Sequence, residues 1–203
     1  MNKLYALVIV LVLALSGCTS TDKSQYSCTA VDGTSYFRCS TTLTEIGASM
    51  NGNEIAVNFT AYVKKKSAYD PLVDLVKSEF IRLNHIFDKY NDVSGVNNVK
   101  TVNDNAGIAP VVVDQALIDL LLIAKDWTTK SEGTFDITLG SVLKIWHNYR
   151  EDGQDLNSNG TLGPIPTLPE LQNAAQYVGW DFVQIDDKAN KVYLTDNNAS
   201  LDL

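Results

Sequence analysis

Between Ile55 and Phe87 the apolar period of the chain changes from two to about 3.6, and this switch limits the fold more than any other feature. Ile55, Val57, Phe59, Ala61 and Val63 alternate with Ala56, Asn58, Thr60 and Tyr62, which makes a strand with one apolar face. Leu72, Leu75, Val76, Phe80, Leu83, Ile86 and Phe87 then recur at helical spacing as far as Tyr90. Asp70-Pro71 suits the start of that helix, with an oxygen cap followed by proline at the first helical position.

The same reading continues downstream. Asn91 to Asn105 is rich in Asn, Asp and Gly and reads as a loop. Val111-Val112-Val113 is a short extended run. Asp114 can cap a second helix whose apolar face carries Leu117, Leu120, Leu121, Ala124 and Trp127, and Gly133 ends it. Asp152 to Gly163 is glycine- and asparagine-rich, and a third helix is expected from Pro169 to Val178. Val183 to Ile185 and Lys191 to Leu194 read as a hairpin turning at Asp186 to Asn190. Helices and strands mix without a clean alternating repeat, so the expected class is α+β, with helices and antiparallel strands.

The amino terminus carries a compartment signal. Lys3 opens a short basic region, and Leu4 to Leu15 is apolar apart from Tyr5. That run is shorter than the roughly 20 residues of a membrane span but suits a signal-peptide core. It ends in Leu15-Ser16-Gly17-Cys18, the pattern of a bacterial lipobox, in which small residues admit the peptidase and the cysteine thiol accepts the lipid. The alternative is an ordinary cleaved signal with an incidental cysteine. The expected organisation is a leader over residues 1–17, a lipidated tether over 18–45 and a folded domain over 46–203. Two or more acyl chains on Cys18 would hold the protein durably on a membrane, on the periplasmic side of the inner membrane of the cell envelope.

Export also shapes the reading of Cys28 and Cys39. An even pair outside the cytoplasm favours a disulfide, and a metal site is disfavoured because no histidine lies nearby. His85 and His147 are the two histidines, and neither has a neighbour at ligand spacing. Both read as ordinary surface or partly packed residues. With 24 acidic against 16 basic residues and a net charge of -8, the surface argues against nucleic acid as a partner.

The stretch most informative about chemistry is Ser131 to Gly140, Ser-Glu-Gly-Thr-Phe-Asp-Ile-Thr-Leu-Gly, followed by Val142, Leu143 and Trp146. A carboxylate held between Phe135 and Ile137 is costly to bury unless something binds it. A turn with one solvated aspartate is the plainer reading. A second local motif, Asp155 to Leu162, has the first half of a calcium loop with glycine at its sixth position, but Pro166 stands where the closing glutamate belongs. A polar surface loop is the competing account.

Taken in order, these pieces resemble the FAD:protein FMN transferase family, the ApbE-like lipoproteins. The resemblance runs from about Met50 to the last residue. It is carried by Phe87 to Ser94, the Val111 to Asp114 helix start, Gly133 to Gly140 with Trp146, the Pro164 to Pro169 loop and the closing Leu201-Asp202-Leu203.

That resemblance implies a magnesium-dependent transferase outside the cytoplasm. Such an enzyme splits the FAD pyrophosphate, places FMN on a threonine of a partner flavoprotein and releases AMP. By position it implies Tyr90 against the flavin, Thr134, Phe135 and Asp136 lining the FAD pocket, Asp202 touching FAD, and Met50 near the flavin. An aromatic face stacks on a flat ring, and phosphoryl transfer asks mainly for a metal and positioned charge.

The chain departs from the family pattern where Ser94 is followed by Gly95 and where Lys100 stands in place of an expected Asn. In the family the segment after Leu-Asp-Leu continues and supplies most magnesium ligands. The chain is accordingly expected to be an incomplete copy, with its metal ligands mostly beyond residue 203 and no catalytic residue assignable. Two other classes stay open: a non-catalytic lipoprotein that binds flavin or protein, and a secreted calcium-dependent adhesion module.

Overall fold

The computed structural model describes residues 26–47, 49, 50, 53–157 and 160–203, the side chains of residues 49, 50, 53, 155 and 157 excepted. In chain order the elements are β1 (Ser27–Ala30), β2 (Phe37–Leu43), β3 (Ser49–Met50), β4 (Asn53–Glu54), β5 (Val57–Val63), α1 (Tyr69–Phe87), α2 (Val99–Asp104), β6 (Val111–Val112), α3 (Gln115–Lys130), α4 (Gly140–Asn157), α5 (Leu168–Ala175), β7 (Val183–Asp186) and β8 (Lys191–Leu194). The class is α+β, with antiparallel strand pairing throughout the two three-stranded sheets. The described residues divide into two compact units, one within Met1–Glu45 and Glu54–Lys77 and the other within Ile46–Asn53 and Ser78–Leu203.

The first unit contains an antiparallel sheet in the order β1-β2-β5. Cys28 lies opposite Cys39 in the register of β1 and β2, and the two are joined by a disulfide. The Ser/Thr-rich stretch expected to be a tether is therefore strand over much of 27–43. Its period of two is real but written in polar residue types: Cys39, Thr41 and Leu43 are buried while Arg38 and Thr42 are exposed. Against this sheet sits the fully buried Tyr69, whose hydroxyl donates to the Phe59 carbonyl at 2.7 Å. Its ring stacks on Phe59 at 5.5 Å, and burial pushes the phenol pKa up. A short 3-10 turn over Lys66–Ala68 runs straight into α1. Asp70 thus lies within the first turn and not at the cap position expected for it.

The second unit is built around Leu117, Ile118 and Leu121 of α3, which pack with Val99 and Val102 of α2, Val192 and Leu194 of β8, and Leu201. Its sheet runs β6-β8-β7, and the expected hairpin is present with Val183 opposite Leu194 and Asp186 opposite Lys191. Asp114 caps α3 by accepting from the Ala116 N–H at 2.8 Å. Gly133, at φ +79°, closes the far end, its N–H bonding the Thr128 carbonyl at 2.9 Å.

Two helices were not visible in the sequence pattern. Helix α2 lies inside the stretch read as a polar loop, started by a capping box between the buried Asn98 and Thr101. Helix α4 continues to Asn157, so the backbone of Asp155 to Asn157 is helical where a calcium loop would need it open. Helix α5 begins at Leu168 behind a Thr167–Glu170 capping box.

Candidate functional site

The informative Ser131–Gly140 segment is held by its own side chains. Asp136 is half-buried, and its Oδ1 accepts from both the Thr138 N–H at 2.9 Å and the Thr138 hydroxyl at 2.8 Å. The buried Thr138 hydroxyl in turn accepts from the Gly179 N–H at 2.9 Å. The cost of fixing a carboxylate between Phe135 and Ile137 is thus partly met by Thr138, within a turn whose aspartate is half-buried and not simply solvated. Phe135 and Thr134 are exposed on the adjoining loop.

What this segment positions is the end of the chain. The Asp202 N–H donates to the Ile137 carbonyl at 2.8 Å, and the Gly140 N–H donates to the Ser200 carbonyl at 3.1 Å. Leu139 and Ser200 form a parallel bridge between them. The approach is so close that a β-carbon on Gly140 would lie 2.4 Å from the Ser200 carbonyl oxygen. From α2, Asn103 grips the same strand on both sides of one residue. Its Nδ2 donates to the Leu201 carbonyl at 3.0 Å, and its Oδ1 accepts from the Leu201 N–H at 2.8 Å. Leu201 enters the core, and Asp202 beside it is half-buried.

There the Asp202 carboxylate pairs with the Lys89 ammonium. Lys89 also lies over the Tyr90 ring, 4.8 Å from its centre. The Tyr90 turn is fixed by Asp88, whose Oδ1 accepts from the Tyr90 N–H at 2.7 Å and the Asn91 N–H at 3.1 Å. Tyr90 itself stays 55% exposed. His147 of α4 stands beside it, ring centres 5.4 Å apart.

These side chains frame two adjoining clefts. A smaller one of about 220 Å³ contains Tyr90, Lys144, His147, Ser200 and Asp202. A larger one of about 730 Å³ shares Lys89, Tyr90 and His147 with it and adds Asn84, Asp88 and Arg150. Of the residues expected to bind FAD, the structure places Tyr90 and Asp202 in one cleft. Thr134, Phe135 and Asp136 are not among the walls of either cleft, and Asp136 is linked to Asp202 only through the Ile137 backbone. Met50 lies in β3 with its side chain outside the described residues, and Cys18 lies outside them altogether.

Sequence reasoning missed Lys89, Lys144, His147 and Asn103. His147, expected to be an ordinary surface or partly packed histidine, is half-buried and borders both clefts. Its Nε2 faces Glu151 at 3.1 Å and its Nδ1 faces Arg150 at 2.7 Å.

A model of the ApbE family matches residues 52–203. The chain belongs to the ApbE family. An FAD:protein FMN transferase from Salmonella typhimurium is 28% identical over 92 residues, 45% of this chain and 24% of that protein. Among solved structures, an ApbE protein from Thermotoga maritima aligns with a TM-score of 0.59 at 22% identity, covering 81% of this chain and 47% of that one. The flavinyl transferase ApbE from Pseudomonas stutzeri, in its apo form, aligns with a TM-score of 0.58 at 18% identity, covering 81% and 46%. At these identities the structures show a shared ApbE fold. The chain spans about half the length of the solved ApbE relatives it matches.

The clefts of this ApbE chain offer magnesium no ready-made seat. Among the described residues no three His, Cys, Asp or Glu side chains come together as a metal site. The carboxylates that line the clefts are committed, Asp88 to backbone N–H groups, Asp104 to Lys100, Glu151 to His147 and Asp202 to Lys89. The residues present do not fit the ion, and no step is derived through it.

Proposed function

We propose that this chain works as a flavin transferase that takes FAD as substrate and passes FMN to a threonine of a partner flavoprotein, with AMP released. The observation that carries the reading is the exposed Tyr90 ring beside the Lys89–Asp202 pair, in a cleft within the family-matched region. In this account the isoalloxazine stacks on Tyr90. The family resemblance adds Asp136, whose Oδ2 has no bonding partner among the described residues, as an acceptor from the ligand, and Thr134, Phe135 and Met50 as further flavin contacts. Asp202 acts from the strand that Asn103 and Ile137 hold in place.

In the transfer, the threonine oxygen bonds to the phosphorus of the FMN half. The pyrophosphate bond to AMP breaks, AMP keeps the bridging oxygen, and the hydroxyl proton passes to solvent. Magnesium dependence belongs to this reading only as what the family resemblance implies, since the described residues hold no cluster that fits the ion. So does anchoring to the periplasmic face of a membrane through lipid on Cys18, which rests on Leu15-Ser16-Gly17-Cys18. Among the described residues no helix is long and apolar enough to cross a membrane.

The experiment is incubation with FAD, magnesium and a cell-envelope extract. The expected result is a flavin-fluorescent protein band that survives denaturation, with AMP formed in equal amount. A chain that binds FAD yet yields neither band nor AMP would leave a flavin-binding protein without transferase chemistry.

A further inference from the structure

The cleft that holds Tyr90 and Asp202 gathers cations in a chain of net charge -8. Lys89, Lys100, Lys144 and His147 all border it. Three of the four are already matched. Lys89 pairs with Asp202, Lys100 lies between Asp104 and Asp92, and His147 faces Glu151. The match at Lys100 is close enough to hold its pKa above the ordinary lysine value, chiefly through the hydrogen bond to Asp104. Lys144, one turn into α4, has no carboxylate partner among the described residues and is exposed at the rim. It is the uncompensated cation of the cleft.

The cleft volumes divide the ligand. Small-molecule sites usually run to roughly 300–1,000 Å³. The larger cleft, at about 730 Å³, falls inside that range, and the smaller, at about 220 Å³, falls below it. The smaller space suits one charged end of a ligand whose ring occupies the larger, with Tyr90 common to both. A lysine ammonium is a compact charge on a long stem, suited to a phosphate that approaches from solvent.

We propose that Lys144 reads the phosphate on the flavin ribityl chain, so that this cleft prefers phosphorylated flavin over riboflavin. The proposal rests on the flavin reading above and adds a specificity residue to it. Lys89 and Lys100 cannot serve in the same way without giving up their carboxylates, whereas Lys144 loses only water.

The test is titration of the full chain with FMN and, separately, riboflavin at low salt, read by flavin fluorescence. FMN is expected to bind up to about fivefold more tightly, the upper range of a solvent-exposed ion pair. Added salt should erode that preference and leave riboflavin affinity unchanged. Lys144→Met should remove the preference without moving riboflavin affinity or thermal stability, and Lys144→Arg should keep it.

Equal losses for both flavins in Lys144→Met would assign the residue a packing role and overturn the proposal. So would an unchanged preference in that variant. Saturable riboflavin binding with no preference for FMN in the unaltered chain defeats the Lys144 assignment alone. Failure to bind either flavin defeats the flavin reading and the assignment with it.

Discussion

The N–H of Asp202 bonds the carbonyl of Ile137 at 2.8 Å, which fastens the Leu201-Asp202-Leu203 segment to the one that carries Asp136. Local sequence cannot announce such a bond, because the partners lie far apart in the chain. It makes one unit of two motifs that the sequence presents separately. Its neighbours in the same ladder supply the most direct tests of the architecture.

Gly140→Ala should destabilise the protein by about 3 kcal/mol, the upper range for forcing an added methyl into packed surroundings. The added carbon would stand 2.4 Å from the Ser200 carbonyl oxygen, a backbone atom that cannot rotate away. Denaturant unfolding measures the loss. Stability within about 0.5 kcal/mol of the unaltered chain, the usual range for an ordinary surface position, would mean that the strand does not sit this close.

Asn103→Leu removes both bonds to Leu201 and is expected to cost about 2 kcal/mol, since a strand N–H and a carbonyl lose their partner together. Because Asp202 follows directly, flavin affinity should fall with it. A variant that loses stability but keeps full flavin affinity would separate Asp202 from the binding site.

How much of this could be read from sequence depends on where each signal is written. Strand β5 and helices α1 and α3 carry their period in large apolar residues, and the Asp114 cap and the β7–β8 hairpin have local turn chemistry, so all were legible. Strand β2 was not, because its inward positions include Cys39 and Thr41. Helix α2 has only Val99 and Val102 to mark an apolar face, too short for periodicity, and its start is specified by Asn98, a residue equally at home in a loop. Tyr90 and Asp202 were legible through resemblance. Lys89, Lys144, His147 and Asn103 were not, since each matters only through partners on other elements.

Removing the Cys28–Cys39 disulfide should cost about 3 kcal/mol by the loop-closure estimate for a separation of 11 residues. The first unit carries the bridge, so the Cys28→Ala, Cys39→Ala double variant should lose amide protection in β1 and β2 before the β7–β8 hairpin. Hydrogen exchange resolved by segment checks this. Uniform loss across both units would contradict it.

Acid should weaken the start of α5. Glu170 accepts from the Thr167 hydroxyl at 2.6 Å and the Thr167 N–H at 2.7 Å, and from the Tyr149 hydroxyl. These bonds, the Thr167 hydroxyl foremost, hold its pKa below the ordinary carboxylate value. The stabilisation is therefore fully present above that ordinary value and is lost as the pH falls through the lowered one. Glu170→Gln should be the less stable protein at neutral pH, with the gap closing on acidification. A gap that stays constant with pH would show that the Glu170 charge contributes nothing.

The central claim is that flavin binds against Tyr90, and equilibrium titration of the full chain with FAD, read by flavin fluorescence quenching, tests it most directly. The account predicts saturable quenching in the unaltered chain. It predicts an affinity loss of about tenfold in Tyr90→Ala, the worth of one stacked ring, and a smaller loss in Tyr90→Phe. No saturable quenching, or the same affinity in Tyr90→Ala, would contradict it.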